Sequence, residues 1–230
     1  MNRTKIETCE FTWNTVTGCR RGCSYCYARR IAQRFPQAFP NGFEPTLHEH
    51  RLHEPSQRKK PALIFTGSMG DTWAPYVNPT WQDLVMREMM SAAWHTYQVL
   101  TRCYEQFLLY TFPEHVWAGF TITKQEQLSA ALSLLARVRA GVRWVSFEPL
   151  LSPIELPDEV PFEWAVLGRM TGPGAVETPR EWVEDLVAAL LEREIPVFVK
   201  NSTIGMVPDL ARSVDLHQWP AGFPGIGGGS

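Results

Sequence analysis

The stretch "VWAGFTITKQEQLSAALSLLARVRAGVRWVSF", residues 116–147, contains a complete strand, helix and strand. Its two apolar ends, residues 116–121 and 143–147, are rich in β-branched and aromatic residues, which is typical of strands covered on both faces. Between them Thr123 and Glu126 have the spacing of a capping box ahead of an amphipathic run. This order predicts a parallel β-α-β unit with a right-handed crossover.

Apolar runs of the same kind recur along the chain, separated by segments with helical periodicity. They lie at residues 62–66, 97–101, 164–168 and 197–200. We therefore predict an α/β fold whose parallel sheet has about six strands, either open or curved into a partial (β/α) barrel. The chain of 230 residues has the length of one such domain, expected over residues 1–224, with a Gly-rich disordered tail at 225–230.

The chain has 22 basic and 24 acidic residues and a net charge of -2. This balance excludes the broad positive field of nonspecific nucleic-acid-binding proteins. No apolar window reaches the length of a signal peptide or membrane span, so we expect a cytoplasmic protein without a membrane partner. An odd count of five cysteines favours thiols or metal ligands over disulfides. The basic concentrations that could meet phosphates, or form a solvated helix face, are Arg29, Arg30, Arg34, Lys59 and Lys60.

Cys19, Cys23 and Cys26 form a C-x3-C-x2-C run, and Tyr25 precedes the last of them. Such a short loop brings three sulfurs to one point. Zinc normally requires a fourth ligand, and the candidates form no second recognisable pair; they are Cys9, Cys103, His48, His50 and His53. A [4Fe-4S] cluster can use three cysteines and leave one iron open. The spacing thus favours a cluster, with structural zinc and unliganded thiols as alternatives.

This cysteine run, placed after the first strand of a βα series, resembles the signature of the radical SAM superfamily. A series of segments resembles, in order, the phage Gp37/Gp68-like family, also called DUF5131, whose members are taken to be radical SAM-like proteins. The segments are "FTWNTVTGC", "CSYCYA", "LIFTGSMGDTW", "YQVLTR", "VWAGFTIT", "VRWVSFEPLLSPI", "WAVLGRMTGPGA", "IPVFVK" and "DLHQWP". The chain departs from the family at Arg102, Cys103 and Thr123, and in "GRMTG" at 168–172.

The resemblance implies a radical SAM-like fold and two cofactors, a [4Fe-4S] cluster on Cys19, Cys23 and Cys26 and S-adenosylmethionine (SAM) on the open iron. It implies reductive cleavage of SAM to a 5′-deoxyadenosyl radical, which abstracts hydrogen from an undefined substrate, with a nucleobase or nucleic acid as a candidate. An electron donor such as flavodoxin or ferredoxin would be a partner. The alternative is a noncatalytic iron-sulfur or zinc-binding module that recognises a protein or nucleic acid.

The resemblance also implies cofactor-binding residues, most of them at the strand ends where α/β folds bind ligands. Tyr25 is expected near the adenine. The SAM amino group is expected at the loop after the second strand, and the ribose or carboxylate at polar residues farther along. These positions are Ser68, Met69, Gly70 and Asp71, then Thr121, Thr123 and Ser146. For Asp71 a turn cap is the alternative role.

The catalytic residues that we predict are Glu148, Arg102 and Lys200. Glu148 ends an apolar strand in "SFEP", and a carboxylate buried there requires a partner. Arg102, Arg169 and Lys200 follow other strands and are the candidate partners. An internal ion pair and a contact with the substrate are the two interpretations of Glu148.

Overall fold

Strands and helices alternate along the computed structural model, which describes residues 1–223 and 225. The strands are β1 (Asn2–Arg3), β2 (Phe11–Trp13), β3 (Val16–Thr17), β4 (Thr46–Leu47), β5 (Leu63–Thr66), β6 (Thr96–Thr101), β7 (Val116–Thr121), β8 (Val142–Phe147), β9 (Trp164–Leu167) and β10 (Val197–Val199). The helices are α1 (Tyr27–Arg34), α2 (Glu54–Gln57), α3 (Pro79–Ser91), α4 (Leu128–Leu135), α5 (Arg180–Glu192), α6 (Asn201–Ile204) and α7 (Pro208–Ser213). Apart from Gly225, the tail predicted at 225–230 lies outside the described residues.

One mixed sheet of eight strands organises the fold, in the order β1-β2-β5-β6-β7-β8-β9-β10. The seven strands from β2 onward pair in parallel, and only β1 is antiparallel to its neighbour. All six predicted apolar runs are parallel strands, so the prediction of about six was low by one. The additional strand, β2, has three residues, which is too few for a clear apolar pattern. Strands β3 and β4 form a separate antiparallel pair.

The two faces of the sheet bury different side chains, because successive residues of a strand point to opposite sides. On β7, Val116, Ala118 and Phe120 belong to the larger core, which includes apolar side chains of α3, α4 and α5. Trp117 belongs to a second cluster on the other face, which is rich in indoles. The nearly continuous apolar pattern of β7 follows from this double coverage.

The last described residues cover the second face near the amino ends of the strands. Trp219 stacks on Trp164 of β9 with ring centroids 5.5 Å apart, and Phe223 contacts Trp117 edge-on at 4.8 Å. The indole N–H of Trp164 also donates to the carbonyl of Gln218 at 2.9 Å. This packing occupies the amino-terminal half of that face and leaves the carboxyl ends of the strands to the loops.

The helical segment after β7 begins differently from the predicted capping box. The side-chain oxygen of Gln127 accepts the backbone N–H of Thr123 at 2.7 Å and that of Lys124 at 3.3 Å, while Glu126 is exposed. A 3-10 turn over Gln125–Gln127 precedes α4. The capping side chain is therefore Gln127 and not the predicted Glu126. Among the described residues, no helix is long and apolar enough to cross a membrane.

Replacing Gly119 with alanine should destabilise the fold, because the added methyl would lie 2.4 Å from the indole of Trp144. Trp144 is only 3% exposed and has little room to move, so we expect overpacking to cost about 1–3 kcal/mol. Urea unfolding measures the loss. Gly205→Ala is the control, since nothing lies within 4 Å of that position, and its effect should stay within about 0.5 kcal/mol. Equal stability of the two variants would contradict the packing of Trp144 on β7.

Candidate functional site

A cavity of about 410 Å³ lies at the carboxyl ends of the parallel strands. Its apolar lining includes Phe65, Leu100, Trp144 and Val166, all on the second face of the sheet. The rest of the wall comes from strand-to-helix loops and from residues 18–26, the cysteine segment. Both the volume and the position are typical of small-molecule sites in α/β proteins.

Most of the predicted site residues line this one cavity. They are Cys19, Cys23, Tyr25, Cys26, Ser68, Gly70, Asp71, Arg102, Thr121, Ser146, Glu148 and Lys200. The sheet register explains part of this convergence, since Thr121 and Ser146 are direct neighbours on β7 and β8. Strand ends that are far apart in sequence therefore meet at one place.

Two predicted cofactor-binding residues lie outside the cavity wall. The side chain of Met69 packs with Phe43 in a small apolar cluster beneath the cysteine segment. Thr123 is buried, and its hydroxyl donates to Gln127 at 3.2 Å. Apolar packing of Met69 and the helical turn that begins after Thr123 account for these positions, and the roles of both residues in cofactor binding stay predictions.

The cysteine segment is held against the β5 loop by a glycine contact. The N–H of Gly18 donates to the carbonyl of Met69 at 2.9 Å, and Gly18 and Gly70 form an isolated parallel bridge. A methyl on Gly70 would lie 2.6 Å from the Gly18 carbonyl oxygen. Gly18 itself has a φ of +93°, where a side chain would be strained. The close approach therefore requires glycine at position 70, while Gly18 is required by its φ and by the neighbouring backbone of Glu44.

Asn14, which the sequence analysis missed, fixes the loop after β5. Its side-chain oxygen accepts the N–H of Met69 at 2.9 Å, and its amide donates to the Ser68 hydroxyl at 3.0 Å. The Ser68 carbonyl accepts the hydroxyl of Tyr27 at 2.5 Å. The carbonyls of Ser68 and Met69, expected to face a SAM ammonium, thus already accept hydrogen bonds within the chain. Asn14 directly follows β2, so it could have been predicted from the tendency of α/β folds to place functional residues at the carboxyl ends of strands.

The three cavity cysteines are free thiols with different surroundings. The sulfur of Cys19 lies 3.0 Å from the hydroxyl of Tyr76, and burial raises the pKa of the Cys19 thiol. The sulfur of Cys26 accepts the N–H of Arg29 at 3.4 Å as the N-cap of α1. Across the described residues, no three His, Cys, Asp or Glu side chains are already grouped to hold a metal. The donors therefore share a cavity without a closed coordination geometry.

The carboxylate of Asp71 bonds within the chain. It accepts the Thr101 hydroxyl at 2.9 Å and the N–H of Arg102 at 3.1 Å. Burial raises the pKa of Asp71, while these hydrogen bonds act in the opposite direction. The arrangement agrees with the turn-capping role, since Asp71 links the β5 loop to the end of β6.

The internal ion pair, one of the two interpretations of Glu148, does not form among the described residues. Glu148 is half-buried on the cavity wall and lies against Gly168, where an added methyl would be 2.9 Å from the Glu148 carboxyl carbon. In the described part of the chain, no basic group lies within 4.0 Å of its carboxylate. The guanidinium of Arg102 lies 5.3 Å from the ring centre of Tyr25, and that of Arg169 donates to Ser202. Glu148 therefore keeps its oxygens available to a ligand.

A family model, described as a protein of unknown function (DUF5131), matches residues 3–208. The chain belongs to the DUF5131 family. The family resemblance is thereby confirmed, and the match includes every residue of the chain that we placed on the cavity wall. No curated protein and no solved structure matches this DUF5131 protein.

The cysteine thiols of the metal-free DUF5131 protein should react with an alkylating reagent at different rates. Burial raises the pKa of Cys9 to about 12 and that of Cys103 to about 11, so at pH 8 only about one Cys9 in ten thousand is a thiolate. We expect Cys9, which is 2% exposed, to react last with iodoacetamide, after Cys103 and Cys23. Mass spectrometry at timed intervals follows each thiol. Denatured protein, in which all five should react alike, is the control, and fast labelling of Cys9 in the folded protein would contradict its burial.

Proposed function

We propose that this DUF5131 protein is a radical SAM enzyme acting on an undefined substrate, with a nucleobase or nucleic acid as a candidate. The observation that carries the proposal is the meeting of Cys19, Cys23 and Cys26 on the wall of one cavity. Their C-x3-C-x2-C spacing and the position after a sheet strand support the same function. The consecutive order of the parallel strands is also compatible with a partial (β/α) barrel, which forms part of the proposal.

The donor set fits an iron-sulfur cluster in its chemistry. Three thiols are not paired in disulfides, and iron-sulfur clusters are held by thiolates. Cys9 and Cys103, the other two cysteines, do not line the cavity, which weighs against a four-cysteine zinc site there. Cys19, Cys23 and Cys26 would hold the cluster, and Cys19 would exchange its contact with Tyr76 for a metal bond.

When bound, a [4Fe-4S] cluster supplies the electron that splits SAM and yields a 5′-deoxyadenosyl radical for hydrogen abstraction. The chain's own residues bind, orient and exclude water. Phe65, Leu100 and Trp144 provide an apolar wall that limits access of water to the reacting groups. Glu148 offers a carboxylate to an ammonium or hydroxyl donor, and Tyr25 offers a ring beside the cysteines. A flavodoxin or ferredoxin would serve as the electron donor, in the cytoplasm.

Anaerobic reconstitution with iron and sulfide tests the cluster. We expect about four irons per chain, a change in the electron paramagnetic resonance spectrum of the reduced protein when SAM is added, and release of 5′-deoxyadenosine. Cys23→Ser should abolish all three signals, because it removes one of three thiolate ligands. Cys103→Ser is the matched control, since Cys103 lies off the cavity wall, and it should retain them.

Two other results would contradict the proposed enzyme. Stoichiometric zinc in place of iron, bound through the three cysteines and a fourth ligand, would indicate a structural metal site. A cluster whose spectrum does not respond to SAM would favour the noncatalytic module. Each result has its own readout, by metal analysis or by spectroscopy.

Replacing Glu148 with glutamine tests the role of its unpaired carboxylate. The variant keeps the size of the side chain and breaks no ion pair, so we expect an unchanged fold and iron content. Release of 5′-deoxyadenosine should fall about tenfold or more, as expected when one charge-assisted hydrogen bond is lost. Glu192→Gln, an exposed change on α5, is the control. Full activity of Glu148→Gln would refute a direct role.

A further inference from the structure

The cavity wall is strongly cationic in a chain whose net charge is -2. Five basic side chains from separate segments line it: Arg21, Arg30, Arg102, Arg169 and Lys200. Two acidic side chains, Asp71 and Glu148, share the wall. The strand ends predict three of these cations, Arg102, Arg169 and Lys200, and Arg30 belongs to a basic concentration of the first helix. Arg21 joins them only through the fold.

These five cations have no acidic partner within 4.0 Å among the described residues. Elsewhere in the described chain, Arg20, Arg143 and Arg180 do form ion pairs with glutamates. Many arginines away from the cavity also lack an acidic partner within the described residues, so what distinguishes the wall is the meeting of five cations at one cavity.

Backbone carbonyls hold three of the guanidinium groups in place. Arg21 donates to the carbonyl of Arg102 at 2.8 Å, and Arg30 donates to that of Pro173 at 3.2 Å. Arg169 donates to the carbonyl of Ser202. A carbonyl orients a guanidinium without cancelling its charge, and each guanidinium has further N–H donors for a ligand.

Lys200 is a second observation that points to an anionic ligand. Its side chain follows β10 and is only 8% exposed, and it reaches the cavity wall. Neither a hydrogen-bond acceptor nor a carboxylate contacts its ammonium in the described residues. The ammonium reaches the cavity, where it can pair with an anion that enters with a ligand.

We propose that the substrate of this cavity carries a phosphate group, as a free nucleotide or as part of a nucleic-acid strand. The inference rests on the proposed radical SAM function, because it assigns the anion to the substrate and not to the cofactor. SAM has a single carboxylate against an ammonium and a sulfonium, so it adds no net negative charge to a wall with five cations and two carboxylates. Phosphate oxygens match the planar fork of arginine, of which the wall has four.

Titration calorimetry of the full chain, before and after iron reconstitution, tests the phosphate site. The probes are AMP, adenosine and a single-stranded DNA octamer. We expect AMP or the octamer to bind at least about tenfold more tightly than adenosine, the increment of one charge-assisted hydrogen bond. A preference for AMP indicates a free nucleotide. A preference for the octamer, with affinity that falls steeply with salt, indicates a strand.

Arg30→Gln and Arg169→Gln should each weaken binding of the preferred probe about tenfold. Arg137→Gln removes the same charge from an exposed position off the cavity and should leave binding unchanged. Circular dichroism checks the fold of each variant, and Arg169→Lys, which keeps the charge, should recover part of the affinity. An equal loss in Arg137→Gln would overturn the site in favour of nonspecific attraction.

The failure of this inference differs from a failure of the proposed function, because the same samples are assayed for iron and for SAM cleavage. SAM cleavage with AMP and the octamer bound no better than adenosine would overturn the phosphate-bearing substrate alone. Phosphate binding that disappears on iron loading would also overturn it, since the cations would then balance the cluster. Phosphate binding in a chain that takes up no iron would keep the anion site and overturn the radical SAM function.

Discussion

The backbone contact between Gly18 and Gly70 is the constraint on which the candidate site depends. It joins the start of the cysteine segment to the loop after β5 at a distance that excludes any side chain. Asn14 reinforces the contact, because its side chain hydrogen-bonds to the hydroxyl of Ser68 and to the backbone N–H of Met69. Because the β5 loop lies at the carboxyl edge of the sheet, the contact places the cysteines over the same cavity as the other strand ends. A larger residue at Gly18 or Gly70 would separate the thiols from that cavity.

The two faces of the sheet are packed differently, and this difference separates the regions that stabilise the fold from those that form the cavity. Helices cover one face with aliphatic and aromatic side chains, while indoles fill the amino-terminal half of the other. Gly119 lets Trp144 lie flat on β7 and line the cavity. The stability of the sheet therefore comes mainly from regions away from the carboxyl ends. Those ends can therefore carry charged side chains such as Lys200 that face the cavity and have no acidic partner within 4.0 Å among the described residues.

Sequence patterns predicted the strands well because apolar runs are locally encoded, and parallel pairing follows from their alternation with helices. "VWAGFT" and "RWVSF" become β7 and β8, and the convergence of the strands' carboxyl ends brings Glu148 and Lys200 to one cavity. Side-chain direction was not predictable in the same way. Met69 turns into an apolar cluster, and Thr123 is used by the helical turn that Gln127 caps. The strand ends predicted Arg102, Arg169 and Lys200 of the cationic wall, whereas Arg21 joins it only through the fold.

The state of the cysteine thiols links the fold to the proposed cofactor. Cluster ligands must be thiolates, whereas burial raises the pKa of Cys19 and its sulfur contacts the Tyr76 hydroxyl. The metal-free cavity therefore favours a protonated Cys19, and binding of a metal must release that proton. Basic residues such as Arg21 and Arg102 line the same wall and favour the negative charge that remains. In the proposed function the cations of the wall would therefore have two uses, to favour cysteine thiolates and to bind the phosphate of the proposed substrate.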